Sequence, residues 1–287
     1  MLQPVTPPKR TSDKPHAGRP APSGRPGRLR VPRALTPVLA AALAGLAVTA
    51  AFPPVGLWWA APVGIAVLLG SLQGRGTGAG AGLGLVFGLA FFAPLLHFTA
   101  VAMGNPIGWV ALTLVQALYT AALGAAWALV GRLPALAGGP GALRAAAVRT
   151  VSFTVLWCGV EELRSSWPWG GFPFGRLAFA MADAPMLPFA AYGGSVGLTL
   201  LVVLIGACVF EAVNAVRTRA LLPALVASAC AGLALAAPLA LPVHVAAEDG
   251  TLRVGAVQGN VAKDFEDAFN RALEVTGNHA QATDQLA

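Results

Sequence analysis

The chain has 287 residues, of which 56% are hydrophobic and 11% are charged, and its mean hydropathy is +0.68. These values exclude an average soluble domain and indicate a protein that lies in a membrane. The net charge of +7 comes largely from the start of the chain, because eight of the nineteen Lys and Arg residues precede Ala34.

Residues 1–33 are rich in Pro, Gly and Arg and contain little that a folded core could bury. This composition predicts a disordered tail. We interpret its charge as the basic cytoplasmic flank of a first membrane helix rather than as a nucleic-acid-binding segment, because Lys and Arg collect on the cytoplasmic side of membrane helices. The apolar sequence begins too late and continues for too long to be a cleaved signal peptide.

Seven apolar runs follow, and each approaches the roughly 20 residues that a helix needs to cross a bilayer. The first two are joined by FPPVG, whose paired prolines rule out a continuous helix and predict a tight hairpin. In the third, GTGAGAGLGLVFG places small residues four apart, which lets another helix approach closely. The predicted transmembrane helices are residues 34–51, 55–72, 78–99, 107–130, 145–163, 187–213 and 221–245.

The basic residues orient these helices. With the N-terminus in the cytoplasm, the inside segments hold fourteen Lys and Arg residues, and the outside loops before the seventh helix hold only Arg164 and Arg176. Arg149, near the start of the fifth helix, can snorkel to the interface, and Glu211 can pair with Arg217 or reach the interface. Seven crossings then place everything after the last helix outside the cell. The predicted domains are a cytoplasmic tail (1–33), a membrane domain (34–245) and an extracytoplasmic segment (251–287).

The extracytoplasmic segment begins with TLRVGAVQGNV, which is nearly continuous in apolar residues, as a strand buried on both faces is. After it, Phe265, Phe269, Leu273 and Val275 recur at helix-like spacing. A strand followed by a helix is typical of the start of a layered α/β domain. One strand and one helix cannot cover each other's apolar faces, so we do not expect the pair to be stable alone.

VGAVQGNV resembles the strand that begins the nitrilase-like (carbon-nitrogen hydrolase) domain of the apolipoprotein N-acyltransferase family. Three further stretches, in the order that the family has and on a matching topology, support this resemblance. They are AFPPVGLWWAAPVGIAVLL, similar to the family's first hairpin, EELRSSWPWGGFPFGRLAFAMAD, similar to its exposed loop, and AAYGGSVGLTLL, similar to the next helix start. Ala262 stands where the family often has proline, and FPF replaces the commoner FPW. The resemblance runs from about Ala34 to the last residue, and it implies an α-helical polytopic membrane bundle followed by the start of an α/β nitrilase-like domain.

The resemblance also implies an enzyme of the bacterial cell (inner) membrane. A phospholipid donates an acyl chain to a cysteine thiol of the enzyme, and the α-amine of an N-terminal diacylglyceryl-cysteine of a lipoprotein accepts it. The family's catalytic Glu, Lys and Cys are not carried over, because the chain has no W-P-E segment, Lys263 lies close behind the first strand, and no cysteine follows Cys230. We therefore expect the chain to be the membrane half of an acyltransferase, truncated before its catalytic segments and inactive by itself. No cofactor is predicted.

A loop with the sequence SSWPWGGFPFG follows the fifth predicted helix. The simpler interpretation is an ordinary helix end, anchored by two tryptophans among the lipid headgroups. The alternative is a lipid-access loop beneath the catalytic domain. The candidate residues for lipid access are Glu162, Arg164, Trp169, Gly171, Phe172 and Pro173.

Two alternatives belong to other functional classes, since seven helices with few charges also fit a transporter or a non-enzymatic membrane scaffold. Transport is disfavoured, because no interrupted helices occur in matching halves and almost no charge is expected inside the bundle. Cys158, Cys208 and Cys230 lie in apolar runs without a CxxC pair or ligand spacing, so neither a disulfide framework nor a zinc site is predicted.

Overall fold

Helices make up most of the chain that can be described. The computed structural model describes residues 35–102, 105–134, 143–243, 250, 252–259 and 271–286. Three short 3₁₀ helices occur in these residues, at Leu177–Ala180, Leu187–Phe189 and Ala237–Ala240. The α-helices of the described residues are α1 (Thr36–Ala50), α2 (Ala60–Leu72), α3 (Thr77–Leu95), α4 (Phe98–Ala102), α5 (Pro106–Val130), α6 (Leu143–Ser166), α7 (Ala190–Arg217), α8 (Leu221–Ala236) and α9 (Ala272–Asp284).

Five helical segments of the described chain are long and apolar enough to cross a membrane. The predicted transmembrane helices are confirmed in length and composition for these five, with shifts of a few residues at their ends. The segments are Thr77–Leu95, Pro106–Val130, Leu143–Ser166, Leu187–Arg217 and Leu221–Ala240.

The first two predicted helices form, but they are shorter than a bilayer crossing requires. α1 has 15 residues and α2 has 13, which at 1.5 Å per residue gives lengths of about 22 and 20 Å against a hydrocarbon core of about 30 Å. Residues 51–59 form turns instead of the start of the second helix, because the paired prolines cannot continue an α-helix. The amide of Leu57 donates to the carbonyl of Ala50 at 2.9 Å, which confirms the predicted hairpin.

The glycines of α3 allow the backbone of α5 to pack very close to α3. A methyl group on Gly84 would lie 2.1 Å from the carbonyl oxygen of Thr120, and one on Gly80 would lie 2.4 Å from that of Gly124. Both distances are shorter than any real carbon–oxygen contact, so only glycine fits at these positions. The prediction that small residues four apart permit a close helix approach is confirmed.

The bundle has two ends that differ in charge. At one end, which we call the arginine end, residues from the ends of α2, α5 and α7 line a common cavity together with Arg75, Arg132 and Arg149. At the other end, which we call the loop end, residues 167–189 connect α6 to α7. Between the two ends lies a buried cluster of aromatic side chains that includes Phe87, Phe91, Phe92, Phe153 and Trp157.

The predicted strand after the last membrane helix is not confirmed. Residues 252–259 have no regular secondary structure, and Leu252 and Val254 are 87% and 79% exposed. A strand needs a neighbouring strand to bond its amides and carbonyls, and the described residues contain none. α9 covers the later part of the predicted helix, whereas Phe265 and Phe269 lie outside the described residues. The start of an α/β domain therefore stays a prediction.

Candidate functional site

The loop after α6 folds back against the helix that precedes it. The amide of Phe172 donates to the carbonyl of Arg164 at 2.9 Å, and the amide of Gly171 donates to the carbonyl of Pro168 at 2.8 Å. The loop that the sequence indicates as a candidate for lipid access is thus an ordered turn that packs on the last two turns of α6.

The guanidinium of Arg164 holds this loop from inside. The side chain is 4% exposed, and its Nη1 donates to the carbonyls of Phe172 at 3.1 Å and Phe174 at 2.9 Å. The same nitrogen lies 3.3 Å from the side-chain oxygen of Gln116 on α5, and the guanidinium carbon lies 5.3 Å from the centre of the Phe92 ring. Through Nη1 and the ring contact, Arg164 thus joins two loop carbonyls to α5 and α3.

Glu161 provides the countercharge inside the bundle. Its Oε2 lies 3.7 Å from Nη2 of Arg164 and accepts a hydrogen bond of 3.3 Å from the amide of Leu177. Its Oε1 accepts a hydrogen bond of 2.7 Å from the hydroxyl of Thr199 on α7. Both carboxylate oxygens are therefore bonded, as a buried carboxylate requires. Glu161 thus connects α6 to α7 and to the 3₁₀ helix Leu177–Ala180.

The glycines of the loop fix the backbone path. Gly171 has φ +74°, and a methyl group there would lie 2.2 Å from backbone atoms of Ser165 and Ser166. Gly170 has φ +89°, but a methyl group there would meet nothing within 4 Å. Of these two glycines, only Gly171 is required by both the backbone conformation and the available space.

The outer surface of the loop is apolar and exposed. Trp169 is 100% exposed and Trp167 is 63% exposed, and the hydroxyl of Tyr119 donates to the carbonyl of Trp167 at 2.6 Å. Phe172 and Phe174 stack with ring centres 4.9 Å apart. Aromatic side chains of this kind are common at the membrane–water interface.

An ion pair closes the base of the loop. Glu162 on α6 pairs with Arg176, which lies past the end of the loop sequence. Nη1 of Arg176 also donates to the hydroxyl of Ser195 on α7 at 3.2 Å. The Glu162 side chain is 46% exposed, so this pair is accessible to solvent or headgroups, unlike that of Glu161 with Arg164.

The six predicted residues lie in one loop and its supporting helix turn, but with different surroundings. Trp169 and Pro173 are exposed, Glu162 is half-exposed and paired, and Arg164 is buried. The sequence-based selection missed Glu161, although a Glu three residues before an Arg places both on one helix face. It also missed Gln116 and Thr199, for which the sequence gives no signal, since their role depends on packing between distant helices.

At the arginine end, Arg149 and Glu211 pair with each other. Nε and Nη2 of Arg149 donate to Oε1 and Oε2 of Glu211, each at 2.7 Å. The expectations that Arg149 snorkels to the interface and that Glu211 pairs with Arg217 or reaches the interface are therefore wrong. α6 begins at Leu143 and brings Arg149 level with the buried Glu211 on α7. The expectation of almost no charge inside the bundle is also wrong, since Glu161, Arg164 and Glu211 are 4%, 4% and 5% exposed.

No group of three or more His, Cys, Asp or Glu side chains that could hold a metal ion occurs among the residues that the structure describes. Cys158 and Cys208 are buried and Cys230 is exposed, and all three are free thiols.

Comparison with known proteins places the loop and its supporting helices inside a recognised domain. A family model described as apolipoprotein N-acyltransferase N-terminal domain matches residues 44–208. An apolipoprotein N-acyltransferase of Mycolicibacterium smegmatis is 30% identical over 271 residues, which cover 88% of this chain and 43% of the relative. One of Photobacterium profundum is 28% identical over 185 residues, or 61% of this chain and 34% of the relative.

The chain spans less than half the length of these two relatives. The family model, in contrast, covers more than half of this chain, including the turn between α1 and α2, the α3–α5 contact and the loop after α6. The chain therefore belongs to the apolipoprotein N-acyltransferase N-terminal domain family.

Proposed function

We propose that the chain is the membrane part of an apolipoprotein N-acyltransferase, which matures bacterial lipoproteins. The match of residues 44–208 to the family's N-terminal domain carries this proposal. In the proposed reaction, a phospholipid donates an acyl chain and the α-amine of an N-terminal diacylglyceryl-cysteine accepts it. The bundle holds the lipid substrates at the depth where a nitrilase-like domain, beginning near residue 251, acts on them.

The proposed reaction has two steps. A cysteine thiolate attacks the ester of the phospholipid, and the acyl chain becomes a thioester while the lipid alkoxide leaves with a proton. The amine of the acceptor then attacks the thioester, and the thiol is restored. A carboxylate serves as the base, and a cation near the carbonyl stabilises the oxyanion.

We infer that residues 1–287 do not perform this chemistry alone. None of Cys158, Cys208 and Cys230 lies in a nitrilase-like segment, since all three belong to helices of the bundle. The role of this chain is then to bind and position lipid. A thioester on any of these cysteines after incubation with phospholipid would contradict this inference.

We propose that the arginine end faces the cytoplasm and that the loop end and the C-terminal segment lie outside. The positive-inside rule supports this, because Arg75, Arg132 and Arg217 belong to the arginine end. Treating α1 and α2 as short helices does not alter it. A hairpin either crosses twice or not at all, so the chain crosses seven or five times, and both numbers place the N-terminal tail and the C-terminal segment on opposite sides.

We propose further that the loop after α6 is the lipid-access loop of the enzyme. Its support is the contrast between a rigid base, held by Arg164 and Gly171, and an exposed aromatic tip at Trp169. A fixed base with an apolar tip can contact acyl chains at the interface without losing its shape.

Replacement of the membrane part of the M. smegmatis relative by residues 1–287 tests the proposal. The chimera is expressed in cells depleted of their own enzyme, and mass spectrometry measures the fraction of lipoprotein that carries the N-linked acyl chain. We expect acylation to be restored. A chimera that inserts at normal levels without acylating lipoproteins, or that instead gives solute flux in liposomes, would contradict the assignment.

The lipid-access loop is tested in the same chimera. We expect Trp169→Ala and Glu162→Ala to slow acylation several-fold at normal protein levels. The control is Trp59→Ala, which removes a half-exposed tryptophan of the α1–α2 hairpin, outside the loop. Unchanged turnover in both loop variants would reject the role of the loop while leaving the enzyme assignment intact.

A further inference from the structure

A second polar site lies at the arginine end, on the opposite side of the bundle from the lipid-access loop. Residues from α2, α5, α6 and α7 enclose a cavity of about 380 Å³. Its polar lining consists of Gln73, Arg75, Arg132, Arg149 and Asn214. No carboxylate is among the described residues that line it.

The positive charge of this cavity is only partly compensated. Residues 34–243 contain the carboxylates Glu161, Glu162, Asp183 and Glu211, and the first three belong to the loop end. Both oxygens of Glu211 are already bonded to Arg149. Arg75 and Arg132 therefore add two positive charges for which the helical region supplies no further carboxylate at this end.

Both arginines line the same cavity and lie close to the N-terminus of α3. Nη2 of Arg132 donates to the Thr77 hydroxyl at 3.0 Å, which places this guanidinium at the first residue of α3. The N-cap position of α3 is Gly76, which has no side chain to cap the helix. Arg75 lies beside Gly76 in the linker between α2 and α3, and its Nε is 3.4 Å from the carbonyl of Ser71. Two guanidinium groups beside the positive end of a helix suit a phosphate group.

An apolar groove continues from this cavity along the side of the bundle. It has a volume of about 730 Å³, shares Arg75 and Asn214 with the cavity, and runs between α1, α2 and α7. Its wall includes Val63, Val67 and Val213, which are 44%, 38% and 45% exposed on the outer surface of the bundle. A soluble anion would need only the cavity, whereas a phosphate that carries acyl chains would fill both.

We propose that the arginine end binds an anionic phospholipid, with its phosphate between Arg75 and Arg132 and an acyl chain in the groove between α1, α2 and α7. Basic pockets between membrane helices are suited to such headgroups. This lipid is a bound partner of the helix ends and not the acyl donor, so the proposal stands or falls independently of acyl transfer.

Binding to the purified full chain in zwitterionic nanodiscs tests the proposal. The probes are phosphatidylglycerol, phosphatidylcholine with the same acyl chains, and inorganic phosphate. We expect phosphatidylglycerol to bind in preference to phosphatidylcholine, and Arg75→Gln with Arg132→Gln to weaken its binding at least about tenfold, since hydrogen bonds to a charged group are lost. Arg144→Gln, an exposed arginine outside the cavity lining, is the matched control and should bind as the unaltered chain does.

Three results would overturn the proposal: equal binding of the two lipids, unaltered binding in the double variant, or displacement of the lipid by inorganic phosphate at equal concentration, which would indicate a site for soluble anions. If the double variant does not fold, cross-linking of the unaltered chain decides. A photoactivatable headgroup of phosphatidylglycerol should then label the linkers 73–76 and 131–134, and labelling confined to other peptides would reject the site.

Discussion

The hydroxyl of Thr199 on α7 donates a 2.7 Å hydrogen bond to the carboxylate of Glu161 on α6, and both side chains are buried. The same carboxylate faces Arg164, whose guanidinium donates hydrogen bonds to the carbonyls of Phe172 and Phe174 in the loop after α6. The loop is thus connected through two side chains to the packing of α6 against α7. Its shape therefore depends on a charge pair inside the bundle as well as on its own glycines.

Replacing Glu161 should therefore destabilise the protein far more than replacing its neighbour. Glu161→Ala leaves the Arg164 charge buried without its countercharge, which costs about 3–5 kcal/mol. Glu162→Ala removes a half-exposed ion pair with Arg176, which costs at most about 1 kcal/mol. Thermal unfolding of both variants in the same nanodiscs measures the difference. Equal shifts in Tm would show that the buried pair does not hold the loop.

The contact between α3 and α5 offers a steric prediction with a matched control. Gly84→Ala places a methyl group 2.1 Å from the carbonyl of Thr120, whereas Gly82→Ala, on the same helix, meets nothing within 4 Å. Because the two helices must separate, we expect Gly84→Ala to lower stability by about 1–3 kcal/mol, as overpacking does. Gly82→Ala should be neutral or slightly stabilising, because Ala favours helix over Gly. Denaturant titration of the two variants checks this, and similar midpoints would contradict the close approach.

The loop itself provides a second glycine pair. Gly170 and Gly171 both have positive φ, so alanine is strained at either position. Only Gly171→Ala also brings a methyl group against the backbone of α6. We expect protease cleavage in the loop to be faster in Gly171→Ala than in Gly170→Ala, since the turn must open to admit the methyl group. Indistinguishable cleavage rates would mean that the loop is not packed on the helix.

Local sequence patterns account for the helices and for the close contact of α3 with α5. Apolar runs mark the membrane segments, paired prolines mark the hairpin, and glycines spaced by four mark the helix contact. These features depend on neighbouring residues in the sequence. The sequence also indicates the loop after α6 as a candidate site, through its tryptophans and glycines.

The contacts that join different helices depend on distant residues and could not be predicted in the same way. The partner of Glu211 is Arg149, 62 residues earlier, and the partners of Glu161 include Thr199, 38 residues later. The position of each helix along its neighbour determines which residues come into contact. Hydropathy does not predict that position. The strand predicted at residues 251–261 is not confirmed for a related reason, because a strand is defined by a partner outside its own sequence.

Cysteine labelling tests the central claim, that the loop end and the C-terminal segment lie on the same, extracytoplasmic side. Single cysteines are introduced by Trp169→Cys in the loop, Thr218→Cys at the arginine end and Leu273→Cys in α9, after Cys158, Cys208 and Cys230 are changed to Ala. All three positions are exposed.

A membrane-impermeant maleimide is applied to spheroplasts before and after permeabilisation. The account predicts labelling at residues 169 and 273 in intact spheroplasts, and at residue 218 only after permeabilisation. Labelling at residue 273 only after permeabilisation, or equal labelling at 169 and 218 in intact spheroplasts, would contradict it.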